Sequence, residues 1–160
     1  MWYSPRMSDT AASRIAQAGD TVAVASDHAG FELKEQLKGD LAQLGFKVLD
    51  LGTNGTASVD YPDFGKALGQ AVSDGRAKAG VAVCGSGIGI SIAANRIPGA
   101  RAALVHDDNT AALAREHNDA NIIALGARLH GHAQARAMLK TFLDTPFAGG
   151  RHAGRVAKLG

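Results

Sequence analysis

Cys84 is the only cysteine among 160 residues, so no disulfide can close within the chain, and a single thiol suits a reducing cytosol. Aromatic residues make up only 5% of the sequence while glycines number 20, so the core has to come from small side chains packed closely together. Neither sign of charge dominates. Seventeen Lys and Arg against 15 Asp and Glu leave a net +2, too little to point to nucleic acid, and part of the basic excess sits in the tail at Arg151, Arg155 and Lys158. No apolar run reaches the roughly 18 residues of a membrane span. Residues 1–19 carry Arg6 and Arg14 without an apolar core, so they do not read as a secretory leader. They are expected to form a flexible extension to a cytoplasmic domain over 20–160. That domain shows no internal repeat and no low-complexity linker.

What is present alternates with α/β rhythm, and 160 residues suffice for one domain with a full core. Short β-branched or apolar runs at 21–25, 46–51, 79–83, 100–105 and 122–125 predict five strands. Between them, Phe31, Leu33, Leu37, Leu41 and Leu44 keep helical spacing before Gly45. Further helices are expected over about 60–74, with Pro62 in the first turn, and over 86–96, 107–116 and 131–143. A last basic helix is expected from about 150. Strands apolar throughout predict a parallel sheet covered on both faces, a three-layer Rossmann-like α/β sandwich. Ligands in such sheets bind at the carboxyl ends of strands. The rule gathers Asp27-His28, Cys84-Gly85-Ser86 and His106-Asp107 on one edge.

The segment Cys84-Gly85-Ser86-Gly87-Ile88-Gly89 places the sole thiol where a strand turns into a helix. Backbone N–H groups of such a loop hold anions, and a helix end there lowers a thiol pKa from about 8.5 toward neutrality. The plainer alternatives are a small buried side chain and a tight glycine connection. The loop lacks the Lys-Ser/Thr of a nucleotide-phosphate loop, and Gly89 falls one residue early for a dinucleotide fingerprint. Asp27 reads either as a helix N-cap or, with His28, as a hydroxyl or phosphate contact. His117 and Asn118 lie before a strand, on the opposite edge, where a histidine is ordinarily a helix C-cap; a site could use it only where subunits meet. Arg151 and Arg155 share a helical face, either as a solvated tail or as a phosphate clamp. Arg128 is likewise a solvated charge or a phosphate ligand. His130 and His132 lack metal-ligand partners at suitable spacing, so no metal is expected.

Six motifs then occur in order: Ser26-Asp27-His28-Ala29-Gly30, Asp60-Tyr61-Pro62, Cys84 through Asn95, Arg115-Glu116-His117-Asn118, Leu125-Gly126-Ala127-Arg128 and Gly150-Arg151-His152. Together they resemble ribose-5-phosphate isomerase type B, in the wider group with the galactose-6-phosphate isomerase subunits. The resemblance covers about residues 21–157. It implies a cofactor-free and metal-free aldose–ketose isomerase interconverting ribose 5-phosphate and ribulose 5-phosphate through a cis-enediolate. By that resemblance Cys84 is the base, the N–H groups of Gly85, Gly87 and Gly89 belong to the anion hole, and Ser86 shuttles a proton between the two oxygens. His117 opens the furanose, and Asp27 and Asn118 hold hydroxyls. His28, Arg151 and Arg155 hold phosphate with help from Arg128, and Tyr61 lines the pocket or simply packs. Some members place a glutamate near the loop instead of the cysteine; Ile90-Ser91-Ile92 carries none here, which makes this chain the cysteine type. The resemblance also implies a homodimer, or a homotetramer, with active sites shared between subunits. The alternatives are another phosphorylated sugar (tetrose, allose or galactose phosphate) and a non-catalytic sugar-phosphate-binding module. Neither nucleic acid nor membrane is an expected partner.

Overall fold

A computed structural model describes residues 14–160. Five strands, β1 (Thr21–Ser26), β2 (Lys47–Asp50), β3 (Ala79–Cys84), β4 (Ala102–Leu104) and β5 (Ile122–Gly126), form one sheet in the order β2-β1-β3-β5-β4, all parallel. Among the described residues, six helices lie between and after them: α1 (Phe31–Gln43), α2 (Tyr61–Ser73), α3 (Ile88–Ala94), α4 (Asp108–Glu116), α5 (His132–Asp144) and α6 (Arg151–Ala157). Right-handed crossovers decide which face each helix covers. Moves from β1 to β2 and from β4 to β5 run one way along the sheet, and moves from β2 to β3 and from β3 to β4 run the other. Helices α1 and α4 therefore cover one face and α2 and α3 the other; α5, after the last strand, packs with α1 and α4 through Met138 and Phe142.

Side-chain alternation splits the core accordingly. Val22 and Val24 of β1, Val81 and Val83 of β3 and Ile123 and Leu125 of β5 meet Leu37, Met138 and Phe142. Their neighbours Ala23, Ala25, Ala82, Cys84, Ile122 and Ala124 meet Leu68, Ala71, Ile90 and Ala94. The second face is built largely from alanine, which fits the shortage of aromatics.

Several elements are shorter than the sequence predicts: β2 loses a residue at each end, and two others lose more. Helix α3 starts at Ile88 rather than Ser86 because Gly87 takes a left-handed conformation (φ 79°) that no continuous helix admits. Strand β4 keeps only three residues at the sheet's edge, where it pairs with β5 alone. The expected extension over 1–19 lies partly outside the described residues, at 1–13. Its remainder packs on the domain: Ala16 is buried, and Gly19 N–H donates to Gly45 O at 2.9 Å. No helix among the described residues is long and apolar enough to cross a membrane.

An ion cluster around the buried Lys34 ties α1 to the end of β2. Lys34 is fully buried, and its Nζ donates to both oxygens of Asp50 at 2.9 and 2.8 Å and to Glu35 at 2.9 Å. Lys38 adds a contact to Asp50 at 2.8 Å, and Gly52 N–H donates to Asp50 Oδ1 at 2.9 Å. Burial pushes the Asp50 carboxyl up, but the hydrogen bonds from Lys34, Lys38 and Gly52 outweigh it and hold the group below its ordinary value. Asp50→Ala leaves the buried Lys34 ammonium with Glu35 as its remaining carboxylate partner and is expected to cost about 1–3 kcal/mol at pH 7, measured by urea unfolding. A carboxylate with a depressed pKa contributes stability at neutral pH that is lost as pH falls through its folded value. The difference between variant and wild type should therefore shrink below about pH 4.

Candidate active site

Strands β1 and β3 lie side by side, yet the chain leaves them in opposite directions, towards β2 and towards β4. Their carboxyl ends flank the sheet's topological switch point, where crevices form in open α/β sheets. Asp27-His28 leaves one side of it and Cys84-Gly85-Ser86 the other. Asp27 is 8% exposed; its N–H donates to Val83 O at 3.3 Å, and its Oδ1 accepts Gly30 N–H at 3.2 Å. It shapes the turn before α1, whose N-cap is Gly30. His28 Nδ1 accepts the N–H of Val59 at 3.1 Å, so the proton of the neutral ring sits on Nε2.

Cys84 ends β3 opposite Gly126 and is 4% exposed. Its Sγ accepts the N–H of Gly87 at 3.2 Å. Ser86 Oγ accepts the N–H of Ile88 at 3.2 Å. The turn is closed by geometry as well as by hydrogen bonds. A Cβ at Gly87 would stand 2.6 Å from Leu104 Cδ1, and one at Gly89 would stand 2.6 Å from Tyr61 Cε1. Tyr61, at the start of α2, thus rests its ring on Gly89 while staying 41% exposed, a rim position rather than a core one. Arg128, after β5, donates its N–H to Gly85 O at 3.0 Å and lays its guanidinium along Gly85. Asp27, His28, Tyr61, Cys84, Gly85, Ser86, Gly87, Gly89 and Arg128 are thus gathered at one edge.

His117, Asn118, Arg151 and Arg155 are not part of that group. Helix α4 starts after β4 and runs back to the start of β5, so its C-cap, His117, lies at the amino edge. A strand of five or six residues spans roughly 17–20 Å, and the thickness of the sheet edge to edge separates the two groups. At the amino edge a cleft of about 390 Å³ is lined by His117, Asn118, Arg151, His152, Arg155 and Val156 among others. The His117 and His152 rings stack with centroids 4.3 Å apart and planes 16° apart. Desolvation first, then repulsion from His117, Arg151 and Arg155, lowers the pKa of His152. The cleft is therefore electropositive and suited to an anion. Sequence reasoning assigned no role to His152, although it stands in the Gly150-Arg151-His152 motif.

Among the described residues no group of three or more His, Cys, Asp or Glu is arranged to hold a metal ion. His130 and His132 diverge: His130 Nδ1 meets Gln134 Oε1 at 2.9 Å, and His132 Nε2 meets Asp40 Oδ2 at 2.6 Å.

Comparison with known proteins places the chain in a family. Residues 22–159 match the family model described as Ribose/Galactose Isomerase. The chain is 38% identical over 135 residues to ribose-5-phosphate isomerase B of Escherichia coli, covering 84% of this chain and 91% of that protein. It is 39% identical over 141 residues to D-erythrulose-4-phosphate isomerase of Pectobacterium atrosepticum, covering 88% and 93%. Among solved structures, ribose-5-phosphate isomerase B of Clostridium thermocellum superposes with a TM-score of 0.86 at 48% identity, covering 88% of this chain and 95% of that one. The non-catalytic alternative thereby falls. The chain belongs to the Ribose/Galactose Isomerase family and is a sugar-phosphate isomerase of the aldose–ketose type.

Proposed function

We propose that this chain interconverts ribose 5-phosphate and ribulose 5-phosphate, with Cys84 as the proton-transfer base. The observation that carries the reading is the Cys84–Gly89 turn at the switch point, where a thiol and a row of backbone N–H groups share one tight loop. Isomerisation moves a proton between C2 and C1. It needs a base over the carbons and donors for the oxygen that becomes negative. In this reading Cys84 takes the C2 proton and returns it to C1. N–H groups of the Gly85–Gly89 loop other than those of Gly87 and Ile88, which serve Cys84 Sγ and Ser86 Oγ, hold the enediolate oxygen. The Ser86 hydroxyl, which the Ile88 N–H orients, passes the proton between O1 and O2.

The remaining roles follow the chemistry of the side chains. His117 opens the furanose ring, and Asp27 and Asn118 accept from or donate to sugar hydroxyls. His28 through Nε2–H, Arg128, Arg151 and Arg155 hold the phosphate. Tyr61 covers the pocket mouth. Because His117, Asn118, Arg151 and Arg155 stand at the amino edge, the complete site is built by two copies of the chain, in a homodimer or a dimer of dimers. One copy offers the thiol loop and the other the basic cleft.

A second reading is favoured by the relative named D-erythrulose-4-phosphate isomerase, which is 39% identical to this chain where the ribose isomerase is 38% identical. A turnover panel decides between them. Ribose 5-phosphate is expected to show the highest kcat/KM among phosphorylated tetroses, pentoses and hexoses, undiminished by a chelator. A faster tetrose or hexose phosphate overturns the substrate assignment, and loss of activity in chelator overturns the metal-free mechanism.

A further inference from the structure

We propose that Arg115 is the positioning residue of the basic cleft: its buried guanidinium sets the spacing between His117-Asn118 and the arginines of α6. The inference rests on the reading of that cleft as the phosphate-binding half of the site. Arg115 is 2% exposed, the largest fully buried side chain among the described residues. A buried guanidinium is costly unless every donor is well used, so its partners matter. Nη1 donates to Asp119 Oδ1 at 2.8 Å and to Ala120 O at 2.6 Å. Nε donates to Thr145 O at 3.3 Å, and the group lies over the Phe142 ring, 5.8 Å from its centroid.

These contacts join two separate stretches of chain. One is the turn that carries His117 and Asn118. Asp119 takes a left-handed conformation there (φ 46°), and its carbonyl also accepts Arg101 Nε–H at 2.8 Å. The other stretch leads from α5 to α6. Beyond Thr145 it is held again where Ala148 N–H donates to Glu116 O at 3.1 Å. Helix α6 buries none of its own residues, and its N-cap, Gly150, gives no side-chain cap. Packing therefore does little to place Arg151 and Arg155. Apart from the His117–His152 ring stack, their position relative to His117 depends on the tether before the helix, and the Arg115 side chain grips both the turn and that tether. Lysine keeps the charge but loses the planar fork that serves Nη1 and Nε acceptors at once.

The test compares Arg115→Lys and Asp119→Asn in the full chain, reading ribose 5-phosphate kinetics and the affinity for inorganic phosphate by calorimetry. Both variants are first shown to be folded by circular dichroism at the assay temperature. Small misplacement of binding groups costs about 10- to 100-fold, so KM and the phosphate dissociation constant are expected to rise together by about tenfold or more. Introducing Arg115→Lys into an Arg151→Ala background should add little, because both changes remove the same contact. A purely structural role would lower the melting temperature and leave KM and phosphate affinity alone. That outcome in either folded variant overturns the proposal, as does full additivity with Arg151→Ala. If Arg151→Ala by itself leaves phosphate affinity unchanged, it is the reading of the cleft that fails.

Discussion

Cys84→Ala is expected to stop proton exchange at C2 while leaving the fold in place. A positioned general base contributes about 10²- to 10⁴-fold, so kcat should fall by that factor. KM should move little, because the phosphate and hydroxyl contacts come from other residues. The fold should survive because the substitution is small. Cys84 is buried at the end of β3, and alanine removes one sulfur and one acceptor for the Gly87 N–H. About 1–2 kcal/mol of stability is the expected cost, within the range of a domain of this size. The measurement is solvent-deuterium incorporation at C2 of the aldose, together with thermal unfolding. Wild-type exchange in a folded Cys84→Ala protein removes the cysteine from the base role.

Mixing two inactive variants is expected to restore activity. Cys84→Ala disables the thiol loop of its own copy, and His117→Ala disables the basic cleft. If each site takes its loop from one copy and its cleft from the other, a mixed dimer contains one site with both halves intact. Random reassortment of equal amounts then recovers about a quarter of wild-type activity: half the dimers are mixed, and each has one good site of two. The experiment is refolding or subunit exchange of the two variants, with activity followed over time. A mixture as inactive as its components shows that both residues act within one chain. The geometry described above makes that outcome hard to reconcile, since His117 and Cys84 stand at opposite edges of the same sheet.

The fold was legible because its signals are local. Five apolar runs and the four helical segments between them yield the alternation, and alternation with apolar strands implies a parallel sheet. Boundaries slipped where tertiary contacts intervene. Ser86 and Gly87 look helical in sequence, but Gly87 must turn left-handed to pass between Leu104 and the Leu125 backbone. Ala100 and Arg101 look like strand, but β4 shortens at an edge, where Arg101 N–H instead donates to Asn121 Oδ1 at 2.8 Å. Ala16 has no periodic neighbours to announce it, yet it is buried on the α1, α4 and α5 face.

The site divides in the same way. Asp27, His28, Cys84 and Ser86 could be assigned to one edge from sequence alone, since they stand at strand ends and strand direction sets the edge; Arg128 joins them only through its contact with Gly85. The opposite placement of His117 was legible too, because it precedes a strand. What the residues of a single position cannot reveal is a partner far along the chain. Arg115 is one more arginine in a helical run until Asp119, Ala120 and Thr145 close around it. Asp50 is one more strand-end carboxylate until Lys34 is buried against it.

By itself the amino-acid sequence determined the class of fold, the family and the chemical types gathered at each strand end, because periodicity, turn residues and motif order are properties of neighbours in the chain. The order of the strands was decided only in three dimensions, and with it the switch point between β1 and β3. So was the burial of Arg115 and Lys34. So too was the separation of the thiol loop from the basic cleft. Each depends on which distant segments pack together, and that is settled by the total burial of apolar surface rather than by any local preference.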